Sequence, residues 1–146
     1  MKMVIQRVKH ASVTVEGNII GKIDLGLLIL VGYTHSDVET DMEKWVKKVL
    51  QMRIFNDEQG KMNLSVQDVQ GDILLVSQFT LYADTKKGNR PSYINAAPPD
   101  IAIPLYEKTI ELFEKNLGKP VQKGVFGAVM KVELLNDGPV TIVLES

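Results

Sequence analysis

"DILLVSQFTLYA", residues Asp72 to Ala83, decides how the rest of the chain is read. Its apolar half has the branched and aliphatic residues of a buried strand, and the whole stretch predicts a central one. The second half breaks the pattern. Ser77, Gln78 and Thr80 set three hydrogen-bonding side chains around the ring of Phe79. In a strand, Ser77 and Phe79 point to one face and Gln78 and Thr80 to the other. Where such a strand ends, the ladder stops and backbone N–H groups come free. Beside hydroxyls and an amide, they can hold a carbonyl oxygen as it gains charge. The alternative is plain packing, with Ser and Thr paired across strands and Phe in the core.

Working outward, "GLLILVGY" (Gly26 to Tyr33) is a continuous apolar run that predicts a strand covered on both faces. Before it, Val4, Val8, Ala11, Val13 and Val15 alternate with polar residues, and "EGN" (Glu16 to Asn18) is a turn into Ile19 to Ile23. After it, Ser36 and Glu39 have capping-box spacing, and Val38, Met42, Trp45, Val46, Val49 and Leu50 recur at helical intervals. "NDEQGKMN" (Asn56 to Asn63) predicts a hairpin loop. A long connection follows, Asp84 to Pro99. A second helix has Leu105, Ile110, Leu112, Phe113 and Leu117 as its apolar face, ends at Gly118, and is expected to begin near Ile103 because of Pro104. Two closing strands, Val129 to Leu135 and Val140 to Leu144, are joined by "NDGP". The expected class is α+β: one domain over residues 1–146, with two main helices on a curved, antiparallel-rich, barrel-like sheet.

Bulk properties exclude several functions. With 146 residues and 45% hydrophobic content, the chain can build its own core. No cysteine means no disulfide, thiolate metal site or cysteine nucleophile. The longest apolar run, Leu25 to Tyr33, is too short for a bilayer, and the N-terminus lacks a signal-peptide block, so no membrane partner and a cytoplasmic location are expected. A net charge of −1 confines any nucleic-acid contact to a local patch. "TKKGNRPS" supplies the best one, with Lys86, Lys87 and Arg90 on a glycine-containing loop. His10 and His35 have no nearby partner for a triad, and no spacing suggests a metal or nucleotide cofactor. "NDGPVT" (Asn136 to Thr141) reads either as a hairpin turn or, if the Gly-Pro bond is cis, as a compact surface of backbone carbonyls.

Together, "IQRV…ASVTVEG", "RIFNDEQGKMN", "SQFTLYAD", "KGNRPS" and "NDGPVT" resemble the D-aminoacyl-tRNA deacylases of the bacterial and eukaryotic type over nearly the whole chain. The resemblance implies hydrolysis of the ester that joins a D-amino acid, or mischarged glycine, to the 3′ end of tRNA. It implies a homodimer without cofactor, in which the Gly138–Pro139 element selects handedness in the other subunit's pocket. Ser77, Gln78, Phe79 and Thr80 would line that pocket and carry the chemistry. Ala97 and Phe126 would be wall residues, with Arg7 packed near the Gly-Pro element. Phe79 and Thr80 N–H groups would form the oxyanion site. The attacking group would be water helped by the tRNA's 2′-hydroxyl, with Thr80 as the other candidate. A non-catalytic RNA-binding β-domain and a small-molecule esterase are the competing readings.

Overall fold

Alternating apolar and polar side chains carry one strand, β1, from Lys2 to Val15 in the computed structural model, which describes residues Met1–Ser146. The turn at Glu16 and Gly17, both at positive φ, returns the chain as β2 (Asn18–Ile23). Then follow β3 (Gly26–Gly32), α1 (Glu39–Gln51), the small hairpin β4 (Phe55–Asn56) and β5 (Met62–Leu64), and β6 (Asp72–Ser77). A short 3₁₀ helix (Phe79–Tyr82), α2 (Pro99–Leu117), β7 (Gln122–Lys123) and β8 (Lys131–Glu145) complete the chain.

The main sheet runs β2-β1-β3-β6-β7, with β8 on β1. The β1 pairings are antiparallel, whereas β3–β6 and β6–β7 are parallel. Parallel neighbours need a crossover, which α1 and the β4–β5 hairpin provide between β3 and β6. Leu27, Ile29, Val31, Ile73 and Leu75 face the two helices and form the larger core with Val46, Val49 and Phe113. Leu28, Leu74 and Val76 point the other way and meet Val8, Ala11, Val13 and Ile23, because the sheet curls over on itself. So β3 and β6 are covered on both faces, as the unbroken apolar runs require.

Three local expectations change. Helix α1 does not use Ser36 and Glu39 as a capping box: Val38 stands at the N-cap with no side-chain cap. The neighbouring Asp37 is instead committed elsewhere, accepting locally from the Thr34 N–H and across the fold from the Met1 ammonium, each at 2.7 Å. Helix α2 begins at Pro99, before the expected Ile103, and tolerates Pro104 in its interior. Pro104 and Asp100, whose carbonyl loses its intrahelical donor, are both exposed, so solvent can serve that carbonyl. Gly118, at φ +79°, ends the helix in the left-handed conformation that glycine adopts freely.

The third change matters most. "NDGP" joins no hairpin. Residues 131–145 form one strand along β1, since both halves pair with it in the same sense. Gln6 is opposite Thr141 and Val8 opposite Asn136, so Arg7 alone faces the stretch Asp137–Val140. That surplus is a bulge, and it pushes Gly138 and Pro139 outward into exposed positions. The Gly138–Pro139 peptide bond is cis.

Candidate active site

The last ladder bond of β6 is donated by the Gln78 N–H to the Val31 carbonyl, at 2.7 Å. Beyond it the chain bends, and the expected continuation of the strand through Phe79 to Ala83 is replaced by the 3₁₀ helix. Leu81 N–H bonds to Gln78 O at 3.2 Å, and Ala83 N–H to Thr80 O at 3.0 Å. The bend depends on Gly32. A Cβ there would lie 2.8 Å from the Gln78 carbonyl oxygen, so any side chain would force the turn open. An i→i+3 helix has no internal acceptor for its first N–H groups, which are those of Phe79 and Thr80.

This turn forms one wall of a cleft of about 230 Å³. Ser77, Gln78 and Phe79 meet Tyr33, Ala97 and Phe126 across it. Ala97 is buried and donates its N–H to the Tyr33 carbonyl at 2.9 Å, which pins the start of α2 to the end of β3. Phe126 leans on Tyr106 with ring centres 5.9 Å apart. The Tyr106 hydroxyl donates to the Leu75 carbonyl at 2.8 Å, and burial pushes that phenol up to about 12. Burial likewise raises Tyr33, whose hydroxyl pairs with Thr109 at 2.8 Å. Tyr33 is the one ionisable residue lining the cleft, and it stays neutral at ordinary pH. There is no carboxylate, imidazole or amine in the wall to act as a general base.

Thr80 stands beside the cleft and not in its lining; its hydroxyl accepts from the Gln78 side-chain amide. Phe79 is 55% exposed, and its ring meets Tyr93 edge-on at 5.1 Å. Lys86, Lys87 and Arg90 are exposed on the loop that leaves this turn, which is closed by paired backbone bonds between Asp84 and Ser92. No group of three His, Asp or Glu residues is placed to hold a metal ion, and no helix is long and apolar enough to cross a membrane.

Arg7, Gly138 and Pro139 are gathered elsewhere, outside this cleft. Arg7 is 6% exposed. Its Nη1 donates to the Ile54 carbonyl at 2.7 Å and its Nε to the Asp137 carbonyl at 2.8 Å. It therefore ties the bulge of β8 to the segment after α1. Gly32, Gly127 and Met130 also line the cleft, and their residue types alone do not single them out. The Gly in "LVGY" was the available signal, since a glycine inside an apolar strand marks a close backbone approach.

Known proteins match this chain along its whole length. The family model described as D-Tyr-tRNA(Tyr) deacylase matches residues 4–145. Relatives named D-aminoacyl-tRNA deacylase are 60% identical in Flavobacterium johnsoniae and 58% in Parabacteroides distasonis, each covering 100% of this chain and 97% of the relative. A solved structure titled c-Myc DNA Unwinding Element Binding Protein superposes with a TM-score of 0.94 at 44% identity, covering 100% of this chain and 99% of that one. A probable eukaryotic D-amino acid tRNA deacylase shares the fold, with a TM-score of 0.84 at 16% identity over 98% and 97% of the two chains.

Proposed function

The chain belongs to the D-Tyr-tRNA(Tyr) deacylase family, and on that premise we propose how it works as a D-aminoacyl-tRNA deacylase. Its substrate is the ester between a D-amino acid, or glycine, and the 3′-terminal adenosine of tRNA. The observation that carries the reading is the cleft's chemistry: hydrogen-bond donors at the open start of a 3₁₀ turn, and no acid or base in the wall. Such a site stabilises a tetrahedral oxyanion but cannot itself deprotonate a nucleophile. The N–H groups of Phe79 and Thr80 take the oxyanion, Ser77 and Gln78 orient the ester, and the Phe79 ring receives the adenosine. Water attacks, with the tRNA's own 2′-hydroxyl moving the proton. The Thr80 hydroxyl is a poor nucleophile beside an amide that has no basicity.

Handedness is sensed by the backbone at Gly138 and Pro139 of one protomer, set into the partner's cleft and held from behind by Arg7. A main-chain wall close to the α-carbon admits hydrogen or a D side chain and clashes with an L side chain. A thousandfold preference requires only about 4 kcal/mol, within the range of one steric clash. Dimerisation is supported by β8, an edge strand whose sole partner is β1 and which exposes Leu135 and Val143. Lys86, Lys87 and Arg90 meet the phosphates of the acceptor end. No cofactor takes part, and the enzyme works in the cytoplasm, with translation's aminoacyl-tRNAs.

The test is parallel incubation of the protein with D-tyrosyl-tRNA and L-tyrosyl-tRNA. Selective loss of the D ester is expected, and equal loss of both rules out the reading. One observation favours a second reading. The exposed Phe79–Tyr93 ring pair beside a basic loop suits a non-catalytic RNA-binding surface, and binding without hydrolysis would select it.

A further inference from the structure

The bulge that carries Gly138 and Pro139 is closed at its neck by one side chain. Asn136 Oδ1 accepts from the Val140 N–H at 2.8 Å, and Asn136 Nδ2 returns a bond to the Val140 carbonyl at 3.3 Å. The same Nδ2 donates to Thr141 Oγ1 at 3.0 Å, and Gln6 Nε2 reaches that oxygen at 3.4 Å from the neighbouring strand. A carboxamide pairing with one backbone N–H and C=O copies the ladder bond that β1 does not make here, because Arg7 alone stands opposite the bulge.

The tip needs such a brace. Gly138 and Pro139 are exposed, and Gly138 is at φ +146°, a conformation that glycine holds without preference. Arg7 grips only the incoming limb, through the Asp137 carbonyl. The outgoing limb, Val140 and Thr141, is tied to the strand base through Asn136. With both limbs held, the tip projects at one fixed angle. With one released, it can swing about the other.

We propose that Asn136 is a positioning residue for stereochemical selection: it sets how far the Gly138–Pro139 tip projects and so determines the preference for D over L esters, without touching the substrate. This rests on the reading of the tip as the chiral wall. A wall of backbone atoms discriminates only while its distance to the α-carbon is fixed, and a displacement near one ångström costs up to about a hundredfold in well-ordered sites. The effect should fall on selectivity and spare the cleavage step, whose groups belong to the cleft of the other protomer.

The experiment compares the full-length protein with Asn136→Ala and Thr141→Val in two measurements. The first is kcat/KM on D-tyrosyl-tRNA and L-tyrosyl-tRNA. The second is backbone amide exchange at Val140, which reports the brace whether or not the protein is a deacylase. Asn136→Ala should speed Val140 exchange and lower the D-to-L ratio by roughly ten- to a hundredfold, mainly through gained L-ester hydrolysis, with kcat on the D ester largely kept. Thr141→Val removes the outer acceptor alone and should give a smaller change in the same direction. Faster Val140 exchange with an unchanged D-to-L ratio would show a purely structural brace and overturn the proposal. Unchanged Val140 exchange would overturn it as well. Absence of D-ester turnover in the unsubstituted protein would instead overturn the deacylase reading, and this proposal with it.

Discussion

Replacing Arg7 with Met removes the guanidinium but keeps a stem of similar length, so the loss can be worked from the bonds. Three are donated: to the Ile54 carbonyl at 2.7 Å, to the Asp137 carbonyl at 2.8 Å and to Asn56 Oδ1 at 3.3 Å. The Ile54 bond is buried, and stranding its acceptor costs about 1–3 kcal/mol. The Asp137 and Asn56 bonds are partly exposed, where water replaces the donor, so together they add about 1 kcal/mol. The ion pair with the Asp137 carboxylate, at 3.9 Å and with that side chain 35% exposed, adds little. Relief from burying a charge offsets part of this, which leaves a net loss of about 2–3 kcal/mol. Urea unfolding followed by fluorescence of the single tryptophan, Trp45, at fixed protomer concentration should show it. With a slope of about 1–3 kcal/mol per molar, the midpoint falls by roughly 0.7–3 M. Arg7→Lys should recover less than half, because one ammonium cannot serve two carbonyls that lie in different directions. A midpoint shift for Arg7→Met below about 0.3 M would refute the assignment of Arg7 as the tie between the bulge and the rest of the fold.

Two further outcomes concern the substrate side. Thr80→Ala keeps the backbone N–H and removes a hydroxyl engaged with Gln78, so D-ester turnover should persist within about tenfold; complete loss in a folded variant would make Thr80 the nucleophile. Neutralising Lys86, Lys87 and Arg90 together should weaken tRNA binding and lower the slope of log affinity against log salt by about two, three charges at roughly 0.7 each; an unchanged slope would remove that loop from the RNA contact.

Much of the fold was legible because burial leaves a period in the chain. The two-sided run in β3, the central strand β6, the β1–β2 turn and the β4–β5 hairpin were all readable in this way. Where sequence reasoning failed, local signals competed with tertiary ones. Asp-Gly-Pro marks a turn in general, but nothing local says that both flanking strands pair with the same partner and turn the hairpin into a bulge. The bend after Gln78 depends on a glycine 46 positions earlier, a contact that no window of sequence contains. Ser77, Gln78 and Phe79 announced themselves by their polarity at the end of an apolar run. Ala97 and Phe126 carry no chemistry of their own and were placed by resemblance alone; the cleft brings them to the same wall. In sequence Asn136 reads as part of a turn, because its bracing bonds exist only once the bulge has formed.

The central claim is that the tip of one protomer screens the ester held by the other, and mixed dimers test it most directly. Phe79→Ala weakens the cleft and leaves the tip intact. Gly138→Ala disturbs the tip and leaves the cleft intact, since its Cβ would lie 2.8 Å from the Val140 side chain and 2.9 Å from its nitrogen. The two variants are refolded together in equal amounts and assayed on D- and L-tyrosyl-tRNA. The account predicts that refolding the two together halves L-ester hydrolysis relative to the same variants refolded apart, with D-ester hydrolysis unchanged, because half of the sound clefts then face a sound tip. Activity that only averages the two parent variants would mean that each tip serves its own protomer, or none, and would contradict the account.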